Sequence, residues 1–149
     1  MHRILLLIPC ILLLCGCTEP VEKQPKSILV LRPAEYTPGE GLTEMTNPAS
    51  GEKLYLHDTV IVSNADIASA SLDMNAMGSP VVSISLKKQA ARRFADATEK
   101  YLMKPVAIII DGKLVTAPIV REKIFGGKIE ISGHFTVEEA RSIAEGMDP

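Results

Sequence analysis

Val106-Ala107-Ile108-Ile109-Ile110-Asp111-Gly112-Lys113-Leu114-Val115-Thr116-Ala117-Pro118 is the stretch on which the fold turns. Its first five residues are a continuous, mostly β-branched apolar run, which predicts a central strand covered on both faces. Asp111-Gly112 tolerates positive φ, and Lys113 to Thr116 returns, so the whole is a β-hairpin. Pro118 closes it, because proline donates no hydrogen bond and pushes Ala117 out of helical space.

Upstream, Val81-Val82-Ser83-Ile84-Ser85-Leu86 alternates, with Val82, Ile84 and Leu86 on one face, as a half-buried strand does. A helix is expected from Lys87 to Leu102, because Ala90, Phe94, Ala97 and Tyr101 recur at helical spacing. Downstream, Gly126-Gly127 predicts a turn and Lys128 to Ser132 another strand. Thr136 caps the last helix while Glu139 reaches back to it, and Phe135 staples onto Ala140. Gly146 is expected to end that helix. Further strands are expected at Ile28–Leu31 (ended by Arg32-Pro33), Leu54–Leu56, Thr59–Val62 and Ile67–Leu72. The class is α+β: an antiparallel or mixed sheet with two helices packed on one face, ferredoxin-like in type.

The amino terminus reads as an export signal. Met1-His2-Arg3 precedes an apolar run from Ile4 to Leu14, too short to stay as a spanning helix. Leu14-Cys15-Gly16-Cys17 resembles the bacterial lipobox, in which the final cysteine is acylated and the chain is cut ahead of it. Residues 1–16 are then a lipoprotein signal, and Cys17 carries diacylglycerol and palmitate-type chains that anchor the protein to a membrane. Thr18 after the cysteine, in place of Asp, points to the outer membrane, facing the periplasm, in a Gram-negative host. Residues 17–27 form a tether whose coil-like reach is under about 20 Å. Residues 28–53 form a Pro/Gly-rich segment with one short strand and a long mobile loop, and residues 54–149 the main domain. The mature chain has 15 basic and 18 acidic residues and Cys17 as its single cysteine, so no internal disulfide is available.

Composition narrows function. The whole chain of 149 residues has a net charge of −2, no Trp and six scattered aromatics, which argues against a nucleic-acid partner. No Gly-x-Ser-x-Gly, His-Glu-x-x-His, phosphate loop or Cys-x-x-Cys occurs. His57 and His134 with Asp58 or Asp111 have metal-ligand residue types without metal-ligand spacing, and no metal or cofactor is implied. Ser132, His134 and Asp111 have the types of a hydrolytic triad but no nucleophile elbow, and Asp111 reads as a turn residue. Met74 and Met77 fill core or form an adaptable contact surface. Arg92 and Arg93 sit on a mixed-charge helix face, solvated or a basic contact.

Five stretches, in order, resemble the head portion of the large periplasmic domain of SecD, a membrane subunit that assists protein export. They are Asp66–Ala70, Pro80–Ile84, Ala90–Thr98, Val106–Pro118 and Gly126–Ala140, within Leu54–Met147. The resemblance implies a SecD-head-like fold and a non-enzymatic role. In SecD the head is an insertion between membrane helices. Here nothing after Cys17 is long or apolar enough to cross a bilayer, so an energy-coupled cycle using intramembrane ionisable groups is not expected. The expected partner is polypeptide, either exported chains or an envelope protein. The alternatives are a small envelope hydrolase using Ser132 and His134, or a scaffold or inhibitor lipoprotein reusing the fold.

Overall fold

The computed structural model describes residues 26–149; the signal, Cys17 and most of the tether lie outside them. Nine strands and two helices follow in the order β1 (Leu29–Glu35), β2 (Thr43–Thr46), β3 (Lys53–Leu56), β4 (Val62–Ser63), β5 (Ile67–Met74), β6 (Pro80–Leu86), α1 (Lys88–Lys100), β7 (Val106–Ile110), β8 (Lys113–Thr116), β9 (Lys128–Ser132) and α2 (Val137–Met147). All strand pairings are antiparallel, in two sheets rather than the single one expected. One runs β2-β3-β1-β7-β8 with β4 beside β1, and the other β5-β6-β9. The reason is that β6 gives one edge to β5 and the other to β9, leaving none for β7.

β7 is covered on both faces. Val106, Ile108 and Ile110 enter the main core with Leu29 and Leu31, whereas Ala107 and Ile109 meet Leu54, Leu56 and Leu114 in a smaller one. The main core also takes Val82, Ile84, Ile129 and Ile131 from the three-stranded sheet, Ala90 and Phe94 from α1, and Ala140, Ala144 and Met147 from α2. Both helices therefore share the layer that the alternating strands face.

Five local expectations are corrected. β1 does not stop at Arg32-Pro33 but runs on to Glu35. His57 N donates to Pro33 O at 2.9 Å, and the reciprocal bond that proline cannot make is replaced by Arg32 Nε donating to His57 O at 2.6 Å. Proline is tolerated because its neighbour supplies the missing donor. Second, residues 28–53 hold two strands rather than one. β2 forms a hairpin with β3, so a strand interrupts the expected loop. Third, of Thr59–Val62 only Val62 lies in a strand, as the first residue of the two-residue β4. Fourth, Gly146 lies buried inside α2, which ends at Met147, and the C-cap Asp148, followed by Pro149, is extended. α1 likewise stops before Leu102, because Met103 takes φ 61° and donates to Val120 O.

Candidate functional site

Two carboxylate–backbone contacts and one amide shape a concavity at one end of the domain. At the tip of the β7–β8 hairpin, Asp111 and Gly112 adopt φ 50° and 76°. Asp111 Oδ1 accepts from Ile28 N at 2.7 Å while Asp111 N donates to Ile28 O, so the turn residue also clamps the start of β1. Asn64 reinforces it, accepting from Leu29 N and donating to Ser27 O. At the start of α2, Thr136 Oγ1 accepts from Glu139 N and Glu139 Oε2 accepts from Thr136 N, satisfying two helix-end donors. Asn47 holds the β2–β3 turn with Oδ1 toward Ala49 N, and its Nδ2 reaches Val115 O on β8.

These three ends enclose a groove of about 690 Å³. Ile110, Leu114, Val115, Phe135 and Ile143 give it an apolar floor, and Lys26, Lys113, His134 and Glu139 line its margin. The size falls within the range of ligand clefts, roughly 300–1,000 Å³.

The opposite end of β1 is an ionic cluster. Glu35 contacts Lys104 Nζ at 2.5 Å and His57 Nε2 at 3.1 Å, and Arg32 pairs with Asp58 at 2.8 Å. The Lys104 ammonium, and then His57, hold the Glu35 carboxyl below its ordinary value. The two histidines are therefore at different ends of the domain. Among the described residues no cluster of three or more metal-ligating side chains is found.

The residues of the hydrolytic alternative are not all brought to the groove. Asp111 and His134 both line the groove, but Ser132 does not, and Asp111 Oδ1 is occupied by Ile28 N. Arg93 pairs with Asp66 and pins α1 to the turn before β5. Arg92 is exposed beside Phe125, itself 73% exposed. Met74 and Met77 lie outside both cores, 48% and 87% exposed, at the end of β5 and in the turn that follows. The core-filling reading is thereby overturned. Gly126 and Gly127 adopt φ 82° and 64°, and a Cβ on Gly127 would lie 2.4 Å from Ala91 Cβ. Pro118 accepts from Val106 N through its carbonyl. The roles of Asn47, Asn64 and Thr98, which ties Ile124 N to α1, were not read from the sequence. Isolated amides and hydroxyls carry no periodicity that would mark them.

The family model for SecDF, P1 head subdomain, matches residues 40–148. The chain belongs to the SecDF P1 head family. The match begins at residue 40, ahead of Leu54, and leaves out β1 at the centre of the larger sheet. The SecD protein translocase subunit of Acidaminococcus fermentans is 31% identical over 131 residues, covering 87% of this chain and 31% of that one. That of Thermobaculum terrenum is 38% identical over 102 residues, 68% of this chain and 19% of that one. This chain thus spans about a third or less of the length of these SecD relatives. A solved structure of SecDF, described as a membrane component that enhances protein export, superposes with a TM-score of 0.66 at 27% identity. The alignment covers 83% of this chain and 63% of that one. SecDF in its super-membrane-facing form gives a TM-score of 0.67, over 83% of this chain and 19% of that one. The fold is shared with both SecDF structures, and the sequence relatives' names are those of translocase subunits.

Proposed function

We propose that this protein is a lipid-anchored component of the bacterial envelope whose SecD-type head binds extended polypeptide beside the membrane, in support of export. The observation that carries the reading is membership of the P1 head family, which links the fold to translocase subunits. The groove supports it physically: an apolar floor with a sparse polar margin suits side chains of an unfolded segment without selecting one sequence. The lipobox-like Leu14-Cys15-Gly16-Cys17 supports anchoring, since several acyl chains, at about 0.8 kcal/mol per buried CH₂, hold a protein on a bilayer where one is marginal. Thr18 in place of Asp favours the outer membrane in a Gram-negative cell. In this reading the head needs no catalytic group.

Two measurements test it. Labelling with a fatty-acid analogue should mark the wild type, and Cys17→Ser should abolish the label and leave uncut precursor. Unchanged labelling of Cys17→Ser would end the anchoring claim. Affinity capture after crosslinking in intact cells should recover exported polypeptide or an envelope protein. Recovery of neither would end the binding claim, and recovery of one fixed envelope partner would favour a scaffold.

A further inference from the structure

We infer that the outer edge of β5 is a second polypeptide-docking site, where an extended segment bearing lysine or arginine adds as a fourth strand once the Asp148 carboxylate is displaced. The inference rests on the polypeptide reading and places a contact on the other side of α2 from the groove. Among the described residues β5 pairs with β6 on one side and with no strand on the other. The pleat decides which backbone groups point outward. Ala70 N donates to Asp148 Oδ1 at 3.0 Å, so Ala70 faces away from β6. By the two-residue alternation Leu72 and Met74 do the same, while Ser69, Ser71 and Asp73 bond to β6. Met74 N is also taken by a carboxylate, that of Asp73, at 2.8 Å. The outward amide of Leu72 lies between these two caps.

The edge lacks most features that discourage pairing. Ser69-Ala70-Ser71-Leu72-Asp73-Met74 has no proline and no lysine, and the bulge between Ile67 and Ser69 bends only its start. An incoming strand would lie in a concavity of about 510 Å³ lined by Ala70, Leu72, Arg141, Ala144, Glu145 and Asp148. Exposed Met74 and Met77 stand at its far end, where flexible thioethers accept varied apolar side chains.

Charge selects the occupant. Asp73, Glu145 and Asp148 border the edge against Arg141 alone, so a basic segment complements it. A second copy paired edge to edge would instead gather two sets of these carboxylates on one ladder.

The test uses the full-length acylated protein in detergent micelles and a short synthetic peptide alternating valine and lysine, read by amide hydrogen exchange. Binding should protect the Ala70 and Leu72 amides. At high salt, where the loss of one attracting carboxylate is screened, Asp148→Ala should tighten binding roughly two- to tenfold by freeing one donor. Leu72→Pro, which removes the outward N–H together with the leucine side chain packed on the main core, should remove the protection at Ala70. Replacing lysine by glutamate, or N-methylating the peptide backbone, should weaken binding. Protection confined to the groove around Val115 and Phe135 would overturn the edge site and leave the polypeptide reading intact. Dimerisation of Asp148→Ala without peptide protection would overturn it in favour of a second copy. Unchanged affinity in both variants would overturn it as well, even if Leu72→Pro folds poorly, because Asp148→Ala leaves β5 whole.

Discussion

The two sheets of this domain are finished in opposite ways. In the six-stranded sheet, β1 is inserted between β3 and β7 and fixed at both ends. Asp111 and Asn64 bind its first residues, and Arg32, Glu35, His57 and Lys104 close its last. In the three-stranded sheet, β5 ends the layer among the described residues, and two carboxylates cap amides along its edge. The first arrangement uses buried apolar contacts and directional bonds that water cannot replace without loss. The second leaves backbone groups that water, or another strand, can satisfy. Rigidity is thus concentrated where the groove is built, and exchangeable contacts where a strand can add.

Substitutions should separate the two regions. Leu31→Ala, at a core position of β1, should lower stability by about 2–5 kcal/mol in denaturant melts, with a cavity left behind. Gly127→Ala comes next, at about 1–3 kcal/mol, because its Cβ overlaps Ala91 at positive φ. Asp111→Ala should cost about 1–2 kcal/mol by freeing Ile28 N and straining the turn, and hydrogen exchange should rise at Ile28 first. A loss as large from Leu72→Ala, half-buried on β5, would erase the contrast between the sheets.

The ionic end of β1 sharpens the comparison through pH. The Glu35 carboxyl is held below its ordinary 4.5 by Lys104 and then His57, so its ionised form stabilises the fold. That contribution is complete above the unfolded value near 4.5 and disappears as pH falls through the lowered folded value. Glu35→Gln should therefore flatten the acid side of the stability profile below about pH 4.5, measured by thermal melts. An unchanged acid limb would show that the pair contributes nothing. The smallest effect is expected at the open edge: Ser71→Lys should leave stability within about 0.5 kcal/mol, since the side chain is exposed.

Much of this fold is legible in the sequence, because periodicity and turn chemistry are local. The run Val106–Ile110 predicts a strand buried on both faces, and both cores meet there. The alternation of Val82, Ile84 and Leu86 predicts the face that meets the helices. What is not legible is pairing at a distance. Nothing near Pro33 shows that Arg32 will replace its missing donor, and nothing near β6 shows that both its edges are claimed. The groove is hidden for the same reason: its floor is drawn from β7, β8, the segment before α2 and α2 itself. Gly146 misleads in the other direction, since a terminal glycine resembles a helix stop whether or not its φ turns positive.

The central claim is that the head takes hold of unfolded polypeptide in the groove, and photo-crosslinking from inside it tests that most directly. A crosslinking amino acid at Ser142, on the groove wall, should form adducts with exported chains in intact cells, whereas the same probe at exposed Lys100 should not. Adducts of equal yield from both positions, or none from Ser142, would contradict the account.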